Sequence, residues 1–92
     1  MTATKLHDAT QAALNKGWLI VKSTAVQGDG FQAPGQVTLC RIENSHHPFA
    51  VHFFNEQDGG FHGGQYCENY AEADREYSRQ VTRFTRHHKA EV

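Results

Sequence analysis

The chain is poor in what many functional classes require. It has two cysteines, Cys40 and Cys67, too few for a disulfide framework, so a reducing compartment is expected. Its longest apolar run is Trp18 to Val21, far below the roughly 20 residues of a membrane-spanning helix. The first residues, MTATKLHDATQ, carry neither the basic region nor the apolar stretch of a secretory signal. Repeats, linkers and low-complexity tracts are also missing, which leaves one packed unit as the expectation for all 92 residues, with a frayed tail after about His87.

What is present suffices for a small core. Hydrophobic residues make up 38% of the chain and include six Phe, three Tyr and one Trp, enough for a two-layer domain. The net charge of -1 is unevenly spread. Residues 1 to 74 hold four bases and eight acids, a balance of -4, whereas residues 75 to 92 hold five bases and two acids, a balance of +3. A basic C-terminal end points to a polyanion or an acidic surface as partner.

Periodicity gives an α+β fold in the order α-β-β-β-β-α, with a four-stranded antiparallel sheet packed against two helices. Leu6, Ala9, Ala13 and Leu14 share one helical face. Gly17 then supplies the stop, and Trp18-Leu19-Ile20-Val21 begins a strand. Gln27 to Gln36 holds three Gly and one Pro and reads as a loop with Phe31 at its centre. Val37 to Glu43 and Phe49 to Asn55 alternate apolar and polar residues around an NSHHP turn, so they pair antiparallel. An Asp-Gly turn leads into Phe61 to Tyr66, whose paired glycines suggest a bulge or a close approach by the following helix. Asn69 and Glu72 have capping-box spacing, and Tyr70, Ala73, Tyr77, Val81 and Phe84 form the apolar face of a long last helix.

On that helix, at about 100° per residue, Arg75, Arg79, Arg83 and Arg86 fall within an arc of about 80°, opposite the apolar stripe. Lys89 and the His87-His88 pair extend the row. Four guanidiniums along about 16 Å of helix suit a phosphate backbone or a line of carboxylates. The competing reading is a solvated face with bases placed near the helix C-terminus, where Glu72 to Arg75 and Glu76 to Arg79 form surface pairs. Asp29, Phe31, Glu56 and Asp58, on loops and turns, are secondary binding candidates. An exposed Phe31 would be a contact anchor, while one folded back would cap the core edge.

Catalytic and metal readings fail on spacing. His46, His47, His52 and His62 lie on adjacent hairpins, but neither cysteine has the near neighbour of a structural zinc site. His52 belongs to the sheet face opposite Phe49, Val51 and Phe53, and that face is expected to be exposed. Gly28 to Ala33 formally matches G-x-G-x-x-A, but Pro34-Gly35 stands where a phosphate-binding helix should open. Ser45 beside His46 lacks a carboxylate to orient the imidazole. Cys40 lies inside a strand, where thiols are packing residues. No cofactor, metal or small-molecule substrate is expected, and the residues point to a binding protein.

The tract HPFAVHFFNEQDGGFHGGQYCENYAEADREYSRQVTRF, with the overall length and layout, resembles phage anti-CRISPR proteins of the type I-F inhibitor group. The resemblance implies a non-enzymatic inhibitor in the cytoplasm of an infected bacterial host. Such an inhibitor docks on the subunits of a CRISPR-RNA-guided surveillance complex, with its guide RNA as a further contact, and prevents target DNA from hybridising or binding. It assigns no contact residues. The rival reading is a small stand-alone nucleic-acid-binding regulator that uses the same arginine row.

Overall fold

In a computed structural model, the backbone is described for residues 2–28 and 33–90, and the side chains for 8–28 and 33–84. The element order is α1 (Thr2–Asn15), β1 (Trp18–Val26), β2 (Gly35–Ile42), β3 (Phe49–Asn55), β4 (Gly60–Cys67) and α2 (Tyr70–Ala90). The strands form one antiparallel sheet in the order β1-β2-β3-β4, so the α+β arrangement read from the sequence is the one observed.

Each boundary has a local cause. α1 ends where Gly17 takes φ +81° and the N–H groups of Lys16 and Gly17 donate to the carbonyls of Ala13 and Leu14, closing orphan carbonyls that a helix end leaves behind. The β3–β4 turn is built by Asp58, whose carboxylate accepts the Gly60 N–H at 2.8 Å, and by Gly59 at φ +70°. At the start of α2 the Asn69 side chain accepts the Glu72 N–H at 2.9 Å, satisfying one free donor of the first turn.

β2 and β3 are the central strands and are buried on both faces. On one face Val37, Leu39, Val51 and Phe53 join Val26, Cys67, Ala73 and Tyr77 in a single cluster, with Phe49, Val81 and Phe84 packed against it. α2 lies on this face. Complete burial of Val37, Leu39 and Val51 contributes roughly 1.5–3 kcal/mol apiece. On the other face Thr38, Cys40, Ala50, His52 and Phe54 are buried, and Ala9 and Ala13 of α1 are fully buried outside the first cluster. α1 therefore covers that face beside β1 and β2.

Two expectations need correcting. The His52 face is not exposed: His52 is 4% accessible, because α1 and a ring of aromatic side chains cover it. Alternation along a strand tells which side a residue takes, not what lies over that side. Leu14, placed on the apolar face of α1, is 48% exposed, since the helix is ending there. β1 also continues past the apolar run to Val26, through an irregularity at Val21. Its second half is polar because its partners on α2 are polar. Lys22 pairs with Asp74, and the hydroxyls of Thr24 and Tyr77 share a hydrogen bond at 2.5 Å.

Candidate nucleic-acid interface

The inner side of α2 is tied to the sheet, and this fixes what its outer side presents. Ala73 and Tyr77 are buried in the core cluster, and Lys22 lies 4.8 Å from the Tyr77 ring centroid as well as on Asp74. Asp74 is the main reason that the Lys22 ammonium holds its proton more strongly than usual. With that side anchored, Arg75, Arg79 and Arg83 face solvent. They span about 12 Å along the axis.

Their charges are little used within the fold. Arg79 reaches Glu76 Oε1 at 3.6 Å with 78% of its side chain exposed, a long surface pair of small energetic worth. Glu76 is itself engaged through its other oxygen, which accepts the Gln80 amide at 3.2 Å. The Glu72 to Arg75 pair expected from spacing does not form; Glu72 stands instead beside the Cys67 thiol, whose pKa is pushed up chiefly by burial and further by that carboxylate. Among the described residues neither Arg75 nor Arg83 has an ion pair. Arg83 lies with its guanidinium carbon 5.7 Å from the Phe84 ring centroid. Arg86 and Lys89 belong to the helical backbone of α2, and their side chains lie outside the described residues.

The secondary candidates are dispersed. Asp29 and Phe31 lie outside the described residues. Glu56 is half-buried at the end of β3, its N–H donating to the Pro34 carbonyl. Asp58 is exposed but occupied: it accepts from Gly60, and its second oxygen meets His62 Nε2 at 2.9 Å. The Gly60 N–H first, and His62 after it, hold the Asp58 carboxyl below its ordinary pKa. Asp58 thus serves to shape the turn and to orient His62.

Between β3, β4 and α2 lies a cleft of about 230 Å³ lined by Phe53, Asn55, His62, Gly63, Gln80, Arg83 and Phe84. Phe53 and Phe84 stack at 4.5 Å with 13° between their planes. Arg83 belongs both to this cleft and to the arginine row, so the two features form one continuous surface. Gln80, 5% accessible, was not singled out in the sequence. Its signal was there, since on helical geometry it falls about 20° beyond Ala73, at the edge of the apolar arc.

The remaining chemistry is quiet. Cys40 is fully buried, and burial pushes its thiol up to about 11, so it is a neutral packing group at physiological pH. His46 and His47 are exposed in the β2–β3 turn. Among the described residues no group of three or more His, Cys, Asp or Glu side chains could hold a metal ion, and no helix is long and apolar enough to cross a membrane. Comparison with known protein families, curated proteins and solved structures finds no match for this chain.

Proposed function

We propose that this protein is a non-catalytic binder that docks through the outer face of α2 onto phosphate displayed by a nucleoprotein. The observation that carries this reading is the row of Arg75, Arg79 and Arg83, exposed on an anchored helix with a single weak acidic partner among the described residues. A rigid helix presenting guanidiniums one turn apart loses little backbone freedom on meeting a polyanion, and each guanidinium can hold a phosphate with two hydrogen bonds. The resemblance to type I-F anti-CRISPR proteins supplies the specific counterpart. It is a CRISPR-RNA-guided surveillance complex, in which the row would meet guide-RNA phosphate and the bound inhibitor would block hybridisation or binding of target DNA.

The test compares the assembled type I-F complex with free RNA and DNA as binding partners at one salt concentration. An inhibitor binds the complex and prevents target-strand capture at concentrations too low to shift free nucleic acid in a gel. Retarding free nucleic acid while ignoring the complex is the behaviour of the stand-alone regulator, and it would overturn the inhibitor reading.

A further inference from the structure

We propose that the cleft between β3, β4 and α2 binds a single nucleotide, with the base against the Phe53–Phe84 wall and the phosphate at Arg83. The proposal rests on reading the arginine row as a phosphate contact, and it adds a site for the base.

Size, walls and polar groups each narrow the ligand. At about 230 Å³ the cleft is smaller than the roughly 300–1,000 Å³ of sites for drug-sized molecules, and it suits one planar ring system. Its apolar wall is aromatic, formed by Phe53 and the half-buried Phe84. The two rings stack on each other and Phe53 is buried, so a base meets the edges of the pair or the outer face of Phe84, contacts that every base can make. The polar lining offers both halves of a base-edge contact. The Asn55 carbonyl already accepts the Gln57 N–H at 2.7 Å, which leaves its amide NH₂ to donate. The Gln80 amide nitrogen already donates to Glu76, which leaves its carbonyl oxygen to accept. His62 is held by Asp58 at Nε2, leaving Nδ1 as its second hydrogen-bonding atom.

The anionic end of the ligand follows from the rim. Arg83 lines the cleft and has no ion pair among the described residues. Arg79 stands one turn earlier, about 6 Å along the axis, so a phosphate next to the bound base meets a second guanidinium. A splayed base in a pocket beside a basic track is the physical signature of single-strand recognition. The same groups would serve a free mononucleotide, and the experiment separates the two sources.

The full isotope-labelled chain would be titrated with the four nucleoside 5′-monophosphates, with ribose 5-phosphate, with a short single strand and with an abasic strand of the same length. The side-chain amide resonances of Asn55 and Gln80 report on the cleft. They are expected to shift with base-bearing ligands and to stay unmoved by ribose 5-phosphate and the abasic strand. Affinity should fall about 10-fold on removing the bases from the strand, and Arg83→Gln should weaken the base-bearing ligands. Shifts with mononucleotide but no strand preference assign a free nucleotide; shifts with the strand alone assign a strand base. Amides unmoved by every base-bearing ligand overturn the proposal. If the abasic strand is bound as tightly as the intact strand and the amides do not move, the cleft fails and the arginine row stands. If mononucleotide moves the amides and the abasic strand does not bind at all, the cleft stands and the row fails.

Discussion

His52 occupies the space that a side chain on Gly64 would need: a Cβ at Gly64 would stand 2.4 Å from His52 Nε2 and 2.7 Å from its Cδ2. The bulge at Gly63, where φ is +63°, drops the β4 backbone against the histidine ring. Trp18 stacks on that ring at 4.8 Å, and Phe61 and Tyr66 meet it edge-on. The paired glycines foresaw the bulge. The close approach they allow is to a histidine on the neighbouring strand and not to the last helix.

Gly64→Ala should therefore destabilise the fold by about 1–3 kcal/mol, the usual cost of overpacking a filled site. Urea unfolding measures it. Combining Gly64→Ala with His52→Ser removes the obstructing ring and should recover part of that loss. Full additivity of the two costs would show that the contact does not govern the site.

The buried imidazole also makes stability depend on pH. Burial first, and the nearby charge of Lys16 second, lower the His52 pKa from 6.5 to about 4. Among the described residues its Nδ1 is the one buried side-chain polar atom without a hydrogen-bond partner. Between those two values the unfolded chain binds the proton that the folded chain refuses. Stability is then complete above pH 6.5, declines as the pH falls towards 4 and levels off below it, with a loss on the order of 3 kcal/mol. His52→Phe, which keeps an aromatic ring and removes the titration, should flatten this part of the curve in denaturation series from pH 7 to 4. A wild-type stability unchanged over that window would contradict the burial argument.

Element order, the Gly17 stop, the Asp58-Gly59 turn, the Asn69 cap and the core stripe of α2 were all legible, because each depends on neighbours within a few residues. What escaped depends on tertiary coverage. The polar half of β1 carries no apolar alternation, since Lys22 and Thr24 find their partners more than fifty residues away on α2. The aromatic surround of His52 draws on two other strands, β1 and β4. For the candidate interface, the arginine row could be read from helical spacing alone, whereas the cleft joins β3, β4 and α2 and becomes visible when Asn55, His62 and Gln80 are brought together.

The Thr24–Tyr77 hydrogen bond fastens an edge strand to the helix that bears the arginine row. Thr24→Val and Tyr77→Phe should each cost about 1 kcal/mol. The double variant should cost little more than either single one. A double-mutant cycle by thermal or urea unfolding checks this, and simple additivity would mean that the two hydroxyls contribute independently.

The arginine row is tested most directly by the salt dependence of binding. Arg75→Glu, Arg79→Glu and Arg83→Glu would be combined in one chain, and affinity for the assembled type I-F surveillance complex would be measured from low to high salt. If the row meets phosphate, the wild-type affinity falls steeply with salt, by about 0.7–0.9 in the log–log slope per phosphate neutralised. The triple variant then binds weakly, and the part of the slope owed to these three side chains is lost. Equal affinities and equal slopes for the two proteins across the series would contradict the claim that α2 docks through its arginines.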